Sequence, residues 1–224
     1  DVLLDERYPA ELERRGLGRP TPQQQVVLAL GDGSLALLDD LHGLGLPVPK
    51  VELFARAVEH GVDRDYLRDM TALGYKLASL EEWVKARDHG VEPGFVRGMN
   101  ALGFGRLAFA QLLKAHDHET DLQYAADMRA VGIEFKSLDQ LISARDHGVD
   151  ARYVRELDAL GFRGLALTRL VELRDHGVNA AYVAALRRMG YEGLTLSAAL
   201  EARDHGVDAA YFAGLQDAGY SGLT

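Results

Sequence analysis

Glycine recurs every 29 residues along the whole chain, at Gly16, Gly45, Gly74, Gly103, Gly132, Gly161, Gly190 and Gly219. Histidine keeps the same step at His60, His89, His118, His147, His176 and His205. A fixed period of this length is the signature of a stacked repeat architecture, in which each unit touches only its neighbours. It predicts an all-α fold, an α-solenoid of about seven and a half two-helix repeats forming one array over residues 1–224. The units run 5–33, 34–62, 63–91, 92–120, 121–149, 150–178 and 179–207, with a partial unit at 208–224.

The unit 63–91 shows why. Asp63 can cap a helix by accepting a backbone N–H bond from its first turn. Asp5, Ser34, Glu92, Asp121, Asp150, Asn179 and Asp208 hold the same slot. Tyr66, Leu67, Met70 and Leu73 follow at helical spacing, and Gly74 fits a C-terminal stop that needs positive φ. Such a stop also wants an apolar contact across it, supplied here by Met70 with Tyr75 and in other units by pairs such as Leu157 with Phe162. A second helix starts near Ser79, places Leu80, Trp83, Val84 and Ala86 on one stripe, and ends at His89-Gly90-Val91. Thr21, Lys50, Ala108, Ser137, Ala166 and Thr195 occupy the Ser79 slot. Helices this short are marginal in isolation, so stability must come from stacking. Two stops depart from the pattern. Gly31-Asp32-Gly33 lacks the histidine, and His118-Glu119-Thr120 lacks both glycine and valine. Both are expected to be the least regular places.

The net charge of −9 opposes binding to a phosphate backbone, so no nucleic-acid partner is expected. No apolar run reaches membrane-spanning length, and no membrane insertion by this segment is expected. The absence of cysteine excludes a disulfide framework and a thiolate zinc site. The chain starts without methionine and stops within a unit, which reads as a piece of a longer protein. The truncated last unit would leave Leu215, Tyr220 and Leu223 without a neighbour, which predicts self-association through that end.

Arg-Asp-His-Gly stands at Arg87, Arg145, Arg174 and Arg203. A catalytic reading is weak, because a residue needed for one reaction is not usually copied into every unit. The structural reading places the histidine at a helix end, facing its free carbonyls. It aligns the Arg and Asp columns for ion pairing between units. His116-Asp117-His118-Glu119 is the one local cluster of metal-ligand types, and a metal-linked function there is a third reading. No catalytic, cofactor or metal residues are assigned. Partner-binding candidates are exposed first-helix positions that vary between units: Arg68, Thr71, Arg97, Asn100, Arg129, Arg155, Asp158 and Arg187.

The unit pattern, as in His89 to Phe104 or His147 to Phe162, resembles helical repeats of bacterial proteins. Those repeats are often appended to membrane-embedded metallopeptidases of the BlaR/MecR type. The resemblance is clearest over residues 59–220, and the first two units depart from it. It implies a soluble segment of a longer bacterial protein. No zinc-binding helix is present, so no catalytic role carries over. The expected function is a non-enzymatic scaffold that binds a protein or peptide through the exposed face of stacked helices. The alternative is a regulatory or sensor arm of a membrane-anchored metalloprotease.

Overall fold

A computed structural model describes residues 7–191 and 193–218. Its helices follow the 29-residue step. The first four pairs are α1 (Arg7–Arg14) and α2 (Pro22–Leu30), α3 (Leu35–Gly43) and α4 (Val51–Glu59), α5 (Arg64–Ala72) and α6 (Leu80–Asp88), α7 (Pro93–Ala101) and α8 (Phe109–Asp117). There follow α9 (Leu122–Ala130) and α10 (Leu138–Asp146), α11 (Ala151–Ala159) and α12 (Leu167–Asp175), α13 (Ala180–Arg188) and α14 (Leu196–Asp204), and then α15 (Ala209–Asp217). No strand occurs among the described residues. The fold is an all-helical repeat solenoid.

The predicted caps form. Asp63, Asp121 and Asp150 each accept the backbone N–H three residues on at 2.7 Å, and Asn179 and Asp208 do the same at 2.9 and 2.8 Å. Thr21 makes a reciprocal capping box with Gln24. Lys50, Glu92 and Ala166 make no side-chain cap. At Ala108, where the slot residue has no acceptor, Gln111 reaches back to its N–H at 2.8 Å. Asp5 and the pair Leu215–Tyr220 lie outside the described side chains, as does the expected self-association surface of Leu215, Tyr220 and Leu223.

Both stops close as the glycines require. Gly74 and Gly161 have φ of +88° and +94°, and the following residues donate back across the turn, Tyr75 to Met70 O at 3.0 Å and Phe162 to Leu157 O at 3.1 Å. The second-helix stops repeat this, with Val91 donating to Ala86 O and Val178 to Leu173 O, both at 2.8 Å. The two degenerate stops behave differently. Gly31 is extended (φ −94°, ψ −176°), so that stop is remade. Glu119, by contrast, keeps the left-handed turn with φ +53° and is the only non-glycine residue at positive φ among those described. Thr120 beside it fills the valine position and is buried. The fourth stop is therefore retained at the cost of backbone strain. Replacing Glu119 with glycine should raise stability by about 1 kcal/mol, because a Cβ in this conformation costs that much; urea denaturation would measure it.

The core is a set of columns, one residue per repeat. Leu12, Met70, Met99, Met128 and Leu157 make the first-helix column and are fully buried. Phe54, Trp83, Leu112, Leu141 and Leu170 make the second-helix column, equally buried. Ala57, Ala86, Ala115 and Ala144 are buried alongside, and in the first unit the second helices α2, α4 and α6 pack on one another. Contacts divide the chain into two compact units, Asp1–Asp117 and His118–Thr224. The division falls within the fourth repeat, beside its degenerate stop. In the first unit α4 packs between α2 and α6, and α5 between α3 and α7. In the second, α11 packs between α9 and α13.

Candidate functional site

The Arg-Asp-His-Gly residues are spent on holding repeats together. Five of the repeat histidines, from His60 to His176, bring Nδ1 to the aspartate 28 positions later, in the next second helix: His89 with Asp117 at 2.6 Å, His118 with Asp146 at 2.7 Å and His147 with Asp175 at 2.5 Å. His60–Asp88 and His176–Asp204 repeat the contact. An ionised carboxylate only accepts, so Nδ1 carries the proton in every pair. The sequence expectation paired Asp with Arg; the structure pairs Asp with His. The imidazole also turns toward the next repeat rather than toward the carbonyls of its own helix end.

The arginine has a different task. Arg87 lies over the Tyr66 ring with its guanidinium carbon 4.8 Å from the centroid, and its Nε donates to His60 O at 3.2 Å. Arg145, Arg174 and Arg203 lie likewise over Tyr124, Tyr153 and Tyr182, at 5.1, 4.8 and 5.0 Å. The guanidinium thus roofs both the ring and the preceding glycine stop, where Arg87 Nη2 sits 2.5 Å from the place a Gly61 Cβ would take.

Under the arginines runs a tyrosine column whose hydroxyls have a role that the apolar spacing alone does not reveal. The hydroxyls of Tyr66, Tyr124, Tyr153 and Tyr182 donate to the carbonyls of Val91, Val149, Val178 and Val207, at 2.9, 2.6, 2.7 and 2.7 Å. Tyr8 donates to Gly33 O in the same way. Burial pushes the Tyr153 phenol up to about 12, and burial with the Asp32 charge does the same for Tyr8. Burial also raises Tyr66 and Tyr124. The folded state therefore favours the neutral phenol. Stability should be level below the ordinary value of 10.0 and fall as pH rises from there through about 12, because only the unfolded chain ionises freely in that window. An ultraviolet titration of phenolate should rise together with loss of helical circular dichroism.

The eight candidate partner-binding residues separate into groups. Arg187 is engaged: Nη1 donates to Leu160 O at 3.0 Å and the guanidinium covers the Phe162 ring. Asn100 lies near the Tyr75 hydroxyl, while its Oδ1 is buried with no partner among the described residues. Both belong to contacts between repeats. Arg97, Arg129 and Arg155 are exposed. Asp158 lines a cavity of about 140 Å³ with Val131, Ile133 and Phe162. Arg68 and Thr71 line a groove of about 600 Å³ between α3 and α5. Arg68 is bridged to Asp65 at 2.6 Å and to Asp69 at 3.0 Å.

Residues 116–119 are drawn to separate partners. His116 packs edge-on against Phe95, Asp117 meets His89, His118 meets Asp146, and Glu119 pairs with Arg145 at 3.3 Å. No group of three or more His, Asp or Glu side chains is placed to hold a metal ion among the described residues. No described helix is long and apolar enough to cross a membrane. Compared with known proteins, the chain matches no family model, no curated protein and no solved structure.

Proposed function

We propose that the chain is a non-enzymatic scaffold that binds a protein or peptide through the exposed face of its first helices. The supporting observation is the groove of about 600 Å³ between α3 and α5, which is lined by Arg68 and Thr71. The positions of Arg68 and Thr71 change identity from repeat to repeat, whereas the histidine, aspartate, arginine and tyrosine columns are committed to the stack. Recurrent columns join one repeat to the next, and the variable face is left to contact something else.

Photo-crosslinking from single positions would test this in the source organism. Adducts are expected from Thr71, Arg97 and Arg155 on first helices, and not from Glu81, Lys85 or Gln140 on second helices. Adducts confined to the second-helix positions would overturn the assignment of the face.

A further inference from the structure

The groove in the first unit contains a glycine that the fold does not need. Gly43 is the last residue of α3 and lies within the helix, without the positive φ of the stop glycines. A Cβ built on it would have nothing within 4 Å. The following four repeats place alanine there, at Ala72, Ala101, Ala130 and Ala159. Glycine is the poorer helix former, so its use at an open helical position is a cost to folding. Gly94 and Gly214 also have open space beside them, but neither lines a described cavity. Gly43 lines the groove of about 600 Å³. A missing side chain at such a place allows another backbone to come close.

The rim states what would come. Leu44, Leu67 and Ala72 supply an apolar floor, and Asp39, Asp40 and Asp65 stand with Arg64 and Arg68 at the edges. The guanidiniums are already matched: Arg64 to Asp40 at 2.6 Å, Arg68 to Asp65 and Asp69, and Arg15 to Asp39 at 2.6 Å. The carboxylates keep more open capacity, since each offers about four acceptor sites and the side chains of Asp39 and Asp65 are 65% and 79% exposed. The chain as a whole carries −9, which would steer cations toward it.

We propose that this groove docks an extended basic segment of a partner protein, with the partner backbone against Gly43 and its Lys or Arg side chains meeting Asp39 and Asp65. The proposal rests on the first-helix reading above and adds the chemistry of the occupant. A random-peptide phage library selected on the whole chain is the probe. The expected result is enrichment of Lys- and Arg-containing peptides. Binding of a selected synthetic peptide should weaken about tenfold in Asp39→Asn and Asp65→Asn, the loss of one charge-assisted contact each. Gly43→Gln should abolish it by filling the groove. Gly94→Gln, at an open helical glycine on α7, should leave it intact. Gly43→Ala should raise the melting temperature while weakening the peptide, which separates a binding role from a folding role. Enrichment of acidic or uncharged peptides, no enrichment, or full binding by Gly43→Gln would each overturn the proposal. Peptides indifferent to Gly43 but sensitive to Arg97→Ala or Arg155→Ala would overturn it while leaving the first-helix scaffold standing.

Discussion

Trp83→Ala should cost about 3–5 kcal/mol, the usual penalty for emptying a large buried aromatic site. Trp83 is fully buried in the second-helix column, edge-on to Tyr66 at 5.9 Å between centroids. The neighbouring repeats cannot collapse into the gap, because their own column residues Phe54 and Leu112 are locked by the 29-residue register. Trp83→Leu should cost much less. Leucine already fills this column at Leu112, Leu141 and Leu170, and the indole N–H finds no acceptor among the described residues. Removing that orphan donor returns about 1–3 kcal/mol. Equilibrium urea melts of the two variants would show it; equal losses would mean that the indole N–H is hydrogen-bonded.

Gly61→Val is the second large effect, at about 3 kcal/mol. The position has φ +76°, where a β-branched side chain is strained by about 1–3 kcal/mol. The added Cβ would also strike the Arg87 guanidinium, which must then leave the Tyr66 ring. Gly61→Ala in an Arg87→Ala background should retain the backbone strain and lose the clash. A double-mutant cycle followed by circular dichroism would separate the two contributions.

The periodicity made the helices, caps and glycine stops legible, because each is a local requirement met by a residue at a fixed slot. Ser79, Asp63 and Gly74 act as their chemistry dictates. The contacts between columns were less legible. A single unit does not show that Asp88 faces the previous histidine rather than an arginine, since that depends on how far one layer is rotated on the next. The signal was nevertheless present as matched substitutions along the chain. Tyr66 goes with Arg87, Phe95 with His116, and Leu37 with Val58. Where Gly31 replaces the histidine, Glu59 replaces its aspartate. Pairs that change together are pairs that touch. The candidate site was legible only in outline: Arg68 and Thr71 line the groove, while the sequence alone does not show that Arg187 reaches Leu160 O or that the Asn100 Oδ1 is buried.

Each middle repeat presents a histidine on one edge and an aspartate on the other. A unit built this way has a head and a tail that fit any sister unit in the same orientation. Copying one such module into the gene would add a rung whose joints are already made, so a lineage could lengthen the array without redesigning it.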